Sequence, residues 1–291
     1  MTGIRVALGL LCFAAALPRP VLAQVTDEEG GPSWALGLSG QVDEESSNSL
    51  LANLNLGVGE RTWLTFAAGR SHSPSELADV SAETLGAGVD HRFGVVGLAF
   101  ELERWGDPTA LESDDMRLSF YIQRPRFRIA LTHERRDVEI PFAVTGPLGG
   151  TVRRDAELWA DSYAVNLRAQ PAERWQLYFG MSEHDYERDL ALLPRIAQLN
   201  LLSASTLTLA NSFIDHERMV GFETAVGRSL VNVAMSRDES AVDGSIFETV
   251  SAGVLFPIAS RVDLEVNLGS GRSDLLESGL YAGVLFLIYG R

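Results

Sequence analysis

The chain has 291 residues, with 24 basic against 39 acidic side chains for a net charge of −15, and every basic residue is arginine. That balance opposes nucleic-acid binding, which needs a basic face to release counterions, and suits a surface that repels anions or gathers divalent cations. A single cysteine, Cys12, rules out a disulfide framework, and a hydrophobic fraction of 46% rules out a disordered chain.

The first residues, Met1 to Arg5, are short and basic, and an apolar run from Val6 to Leu17 follows. Pro18 to Ala23 then leads to Gln24, which makes residues 1–23 a secretory signal peptide cut after Ala23. Cys12 lies within the apolar run behind Leu10 and Leu11, where a lipobox needs a small residue, so lipidation is not expected. Cleavage removes two arginines and no acid, making the balance more negative still. Residues 24–32 read as a short N-terminal segment and 33–291 as one domain. Beyond Ala23 no stretch reaches 18 uncharged apolar residues, so no spanning helix is expected.

From Trp34 onward the period is two. Trp34, Leu36, Leu38 and Val42 alternate with Gly37, Ser39, Gln41 and Asp43, the pattern of a strand with one apolar and one polar face. Leu54 and Leu56 alternate with Asn53 and Asn55, and the turn Gly59-Glu60-Arg61 leads to Leu64, Phe66 and Ala68. Leu85, Ala87 and Val89 precede a tight turn at 91–94, and Val96, Leu98, Phe100 and Leu102 then alternate with Gly97, Ala99, Glu101 and Glu103. Residues 105–114 read as a loop. Met116, Leu118, Phe120 and Ile122 alternate with Arg117, Ser119 and Tyr121, and the turn Arg124-Pro125-Arg126 leads to Phe127, Ile129 and Leu131 against Arg128 and Ala130.

Residues 136–156, with Pro141, Pro147, Gly149 and Gly150, read as a long loop. Strands resume at Tyr163, Val165 and Leu167, and after a turn at 170–174 at Trp175, Leu177, Phe179 and Met181. The segment Asp189 to Asp215 is ambiguous. Leu190, Leu192, Leu193, Ile196 and Leu199 fit a helical stripe, which makes it a loop and gives 14 strands; two extra strands there would give 16. Fourteen is favoured, because the first of the extra strands would be short. Later strands centre on Val220 and Phe222, Val231 to Met235, Val250 to Phe256, and Val262 to Leu268.

The last strand, Ser278 to Tyr289, is uncharged, β-branched and aromatic, long enough to cross a bilayer as a tilted strand and too short to do so as a helix. With Gly283, Phe286 and Ile288 it resembles the closing strand of Gram-negative outer-membrane β-barrels, which their assembly machinery recognises; here Gly290 and Arg291 follow the terminal aromatic residue. Short turns and long polar loops alternate along the chain, the arrangement of a transmembrane up-and-down antiparallel β-barrel with an even strand number. Aromatic residues belong at the two membrane interfaces of such a barrel, and Trp34, Trp159, Trp175 and Tyr289 are the candidates; Trp63 and Trp105 have the opposite parity and lie in turns or point inward.

On the polar parity the charges segregate. Arg117, Arg126, Arg128 and Arg168, with Tyr121 among them, mark one wall, Glu223, Asp263 and Glu265 another, and Glu101 and Glu103 border the arginines. Facing walls of opposite sign resemble the constriction of general porins and would act on polar solutes and ions; alternatively the charges pair between neighbouring strands, Glu101 and Glu103 with Arg117. The resemblance implies a passive channel for small polar solutes, or else a closed barrel with a structural, adhesive or surface-binding role. The clusters Glu183-His184-Asp185 and Asp215-His216-Glu217, the densest polar groups at the long-loop rim, read as a divalent-cation site or the catalytic pair of a rim hydrolase, but loop histidines beside carboxylates are usually just solvated and no P-loop, dinucleotide or zinc motif is present, so no catalytic residue, metal or cofactor is assigned. The expected partners are outer-membrane lipid and lipopolysaccharide, and the barrel-assembly machinery.

Overall fold

The computed structural model describes residues 33–44, 46–73, 80–107, 111–145, 151–187, 213–273 and 279–290. The leader, residues 24–32 and most of the segment 189–215 lie outside them. Among the described residues the regular structure is β throughout. The first seven strands are β1 (Trp34–Asp43), β2 (Asn48–Gly57), β3 (Thr62–Ser73), β4 (Val80–Phe93), β5 (Val96–Asp107), β6 (Leu111–Arg124) and β7 (Phe127–Thr145). The second seven are β8 (Thr151–Ala172), β9 (Trp175–Tyr186), β10 (Ile214–Val226), β11 (Ser229–Ser240), β12 (Ile246–Ala259), β13 (Val262–Ser273) and β14 (Gly279–Gly290).

Each strand pairs antiparallel with the next, and β1 pairs with β14 from Trp34↔Gly290 to Asp43↔Tyr281, so the sheet is a closed barrel of fourteen strands. Closure leaves no unpaired edge, which a sheet in hydrocarbon cannot tolerate. At ordinary strand spacing and a tilt of about 40°, fourteen strands put opposite backbones about 28 Å apart.

The registers hold the expected alternation nearly unbroken. Leu98, Phe120, Leu131, Val165, Phe179, Val220, Met235, Val250 and Leu268 share the outer face, with Gly97, Tyr121, Ala130, Asn166, Gly180, Gly221, Ala234, Ser251 and Gly269 on the inner one. Large apolar side chains are therefore solvent-exposed in the isolated chain, as in Leu85, Leu118, Phe120 and Leu177, which inverts the ordinary arrangement and needs lipid outside.

The strands run further than the apolar pattern. Residues 105–114 and 136–156 were expected as loops, yet β5 runs to Asp107, β6 starts at Leu111, and β7 and β8 stay paired out to Thr145↔Thr151. Above the membrane the outer face carries Arg104, Glu112, Asp114, Asp137 and Glu139 instead of apolar groups, so the hydrophobic alternation stops while the hydrogen-bond ladder continues. Pro141 lies beyond the last β6–β7 pair, Glu112↔Glu139, so its missing N–H removes no bond from that ladder.

Candidate functional site

The lumen collects the inward side chains of all fourteen strands. Three of its tyrosines lie flat across a glycine of the adjoining strand: a Cβ on Gly97 would stand 2.0 Å from Cζ of Tyr121, one on Gly221 1.9 Å from Cζ of Tyr178, and one on Gly269 2.1 Å from Cζ of Tyr281. Glycine there admits the ring against the wall, so an aromatic group covers bare backbone without filling the bore. The Tyr121 hydroxyl donates to Oδ1 of Asp90 at 2.5 Å, and the Arg128 guanidinium stacks 4.0 Å above the same ring.

The densest polar cluster lies on β5, β6 and β7. Arg117 donates from Nε to Oε2 of Glu134 at 2.7 Å, from Nη1 to Oε2 of Glu103 at 3.2 Å and from Nη2 to Oδ2 of Asp115 at 3.3 Å. Arg136 bridges the same Asp115 at 3.2 Å and Glu134 at 3.0 Å. Asp115, fully buried, also accepts from the Trp105 indole at 3.0 Å and the Ser113 hydroxyl at 2.6 Å. The register explains the grouping, because Glu103↔Asp115↔Arg136 and Glu101↔Arg117↔Glu134 are consecutive inward rows across three strands. Three carboxylates thus share two guanidiniums, and the satisfied network is compatible with burial as single charges would not be.

The rest of the barrel differs. Among the described side chains, β4 to β8 point five arginines inward (Arg92, Arg117, Arg128, Arg136, Arg168) with six carboxylates (Asp90, Glu101, Glu103, Asp107, Asp115, Glu134). β9 to β14 and β1 point in six carboxylates (Asp43, Glu217, Glu223, Asp238, Asp263, Glu265) and no arginine. Here acids lean on neutral donors: Asn232 Nδ2 donates to Glu265 at 2.9 Å, and Ser182 and Ser236 donate to Glu217 and Asp238, both at 3.3 Å. The field across the lumen therefore arises from a nearly neutral wall facing an acidic one, because the arginine wall carries its own counterions.

Most of the sequence-selected lumen residues point inward, namely Glu101, Glu103, Arg117, Tyr121, Arg128, Arg168, Glu223, Asp263 and Glu265. Arg168 donates to Gln176 Oε1 at 2.6 Å. Arg126 does not join them: it is an exposed residue of the turn between β6 and β7, because the hairpin closes at Arg124↔Phe127. Trp34, Trp159 and Trp175 take the outer parity, Trp175 edge-on to Phe222 at 5.8 Å and Trp159 under Arg135 at 4.7 Å. Tyr289 was expected among the interface aromatics, but it pairs with Ala35 on the inner parity and hydrogen-bonds Asp263. The strand alternates from Gly283, so Val284, Phe286 and Ile288 face lipid and the tyrosine, one residue later, cannot. Trp63 and Trp105 point inward, Trp63 against Gly57.

Sequence reasoning missed an apolar group at the long-loop end of the lumen. Leu111, Val138, Ile140 and Leu158, inward on β6 to β8, pack with Phe213 and Val242, which arrive from the approach to β10 and the turn after β11; Trp105, Tyr186 and Ala82 border it. All six are at most 4% exposed. These residues and their neighbours come from the consecutive strands β4 to β11, about half the barrel's circumference. His184 and His216 do not converge: His184 is buried inside opposite Ser162, whereas His216 shares the outer parity with Glu183 and its Nδ1 stands 3.0 Å from the Asp215 carboxylate. Among the described residues no group of three or more potential metal ligands exists.

A closed fourteen-strand barrel with an apolar belt outside and a polar wall inside has the fold of the outer-membrane β-barrels. The chain is similar in fold to the CymD monoaromatic hydrocarbon channel, at 10% identity, with 99% of this chain and 95% of that one covered and a TM-score of 0.58. The NanC porin aligns at 4% identity over 88% of this chain and 100% of its own, with a TM-score of 0.41. A loop-deletion form of OmpT, an outer-membrane protein of Vibrio cholerae, aligns at 9% identity over 87% and 98%, with a TM-score of 0.49. No protein-family model and no curated protein matches the sequence.

Proposed function

We propose that the protein is a passive outer-membrane channel for small polar solutes with a preference for cations. The observation that carries this is the acidic half of the lumen, where β9 to β14 and β1 point six carboxylates and no arginine inward among the described side chains. Fixed negative charge along one wall of a confined aqueous path concentrates cations and excludes anions. Residues 1–23 direct export and the assembly machinery inserts the barrel at its closing strand. The test is single-channel recording of the refolded protein in planar bilayers under a KCl gradient. Conductance steps with a reversal potential of the cation-selective sign are expected. Persistently silent bilayers, with protein whose gel migration is heat-modifiable and therefore folded, would refute the channel.

A second reading has its own observation. The buried apolar group at the long-loop end of the lumen favours a barrel closed at that end, with a structural, adhesive or surface-binding role, and the same recordings distinguish the two.

A further inference from the structure

On the outer face, just past the apolar belt on the long-loop side, four charged residues stand side by side on adjacent strands: Arg218 on β10, Arg237 on β11, Glu248 on β12 and Arg272 on β13. The registers Arg218↔Arg237, Arg237↔Glu248 and Glu248↔Arg272 make this a single row. The next outward row toward the short turns is Val220, Met235 and Val250, all lipid-facing. Each arginine is thus one step from hydrocarbon, at the depth of the outer-leaflet headgroups.

Two arginines directly opposed on neighbouring strands repel each other. The single carboxylate does not balance the row, for Glu248 accepts two N–H groups of Arg272 and stands 3.7 Å from Arg237. Arg218, exposed, has no acceptor among the described residues. Elsewhere on the same boundary Arg104 forms a two-point bond with Asp114, and Arg135 lies between Asp137 and Asp161. Glu239 and Glu183, outward one row nearer the long loops, form no ion pair with Arg237 or Arg218 among the described residues, and Glu183 stands 3.8 Å from His216. A row of three guanidiniums and one carboxylate at the headgroup depth calls for an external anion with several oxygens.

We propose that Arg218, Arg237 and Arg272 form a binding site for the phosphate groups of lipopolysaccharide in the outer leaflet. The phosphate seats between Arg218 and Arg237, relieving their repulsion, and Arg272 with Glu248 fixes the edge of the site. The acyl chains run down over Val220, Met235 and Val250. This site faces away from the lumen, so it stands whether or not the barrel conducts.

The test is native mass spectrometry of the refolded full chain in detergent, titrated with diphosphoryl lipid A. The variant R218Q/R237Q leaves the Arg272–Glu248 pair intact, and R104Q, as exposed as Arg237, serves as a control. At roughly a fivefold effect per arginine near an anionic surface, the double variant should bind about 25-fold more weakly, and R104Q no more than about fivefold. Dephosphorylated lipid A should bind the wild type and the double variant alike, and 10 mM inorganic phosphate should not displace diphosphoryl lipid A. Equal binding by the wild type and the double variant would overturn the site. So would a loss in R104Q matching that of the double variant, which would mean general charge attraction, or displacement by inorganic phosphate, which would mean a soluble-anion site. Heat-modifiable migration of each variant confirms folding before titration.

Discussion

Replacing Arg117 with methionine should destabilise the folded barrel by about 3–5 kcal/mol, the usual result of removing one partner from a buried ionic network. The geometry says where the loss falls. Without Arg117, Glu134 keeps Arg136 at 3.0 Å, and Asp115 keeps Arg136, Trp105 and Ser113, but Glu103 loses the one ion-pair partner found for it among the described residues. Most of the loss should therefore come from Glu103, and adding E103Q to R117M should restore about 1–3 kcal/mol, the scale of an uncompensated buried polar group. Urea titrations of refolding into lipid vesicles, read by tryptophan fluorescence and gel migration, measure both numbers. A loss under about 1 kcal/mol for R117M, or no recovery on adding E103Q, would refute the view that these five side chains form one mutually dependent unit.

Other perturbations test the wall, the belt and the mouth. E223Q/E265Q should shift the reversal potential toward zero in a KCl gradient while leaving the fold intact; an unchanged potential would remove the acidic wall from the conduction path. L118R, on the lipid face near the middle of β6, should cost about 2–4 kcal/mol by the same vesicle titration, whereas S119R, one residue on and inside beside Thr132, should cost much less. G221A drives a methyl into the Tyr178 ring and should cost about 1–3 kcal/mol, with Y178A in the same chain recovering part of it. V242D places a charge in a site only 3% exposed and should loosen the apolar group at the mouth, raising single-channel conductance if that group obstructs the path.

The sequence alone determined that this chain folds as a β-barrel, because a period of two is read one strand at a time. Leu118 and Phe120 outward, Arg117 and Ser119 inward, follow from the pleat of a single strand, and fourteen repeats of that pattern with alternating turn lengths leave few arrangements open. The inward parity of Glu101, Arg128, Glu223 and Glu265 was legible for the same reason. What escaped depended on neighbours far away in the chain. Strand length above the membrane was hidden because water and the acidic rim replace lipid there, so the ladder continues at 136–156 without an apolar face to mark it. Tyr289 looked like an interface anchor by type, yet closure of β14 against β1 fixes it against the inner wall.

The partners of Arg117, and hence the near-neutrality of its wall, depend on the register that brings β5, β6 and β7 into line. The apolar group at the mouth needs Phe213 and Val242 to meet Leu111, about a hundred residues away, and the row Arg218, Arg237, Glu248, Arg272 exists only once four strands are aligned. Local periodicity sets which way each side chain points. Only closing the sheet decides which side chains meet, because contact between strands depends on register, and register is a property of the whole barrel.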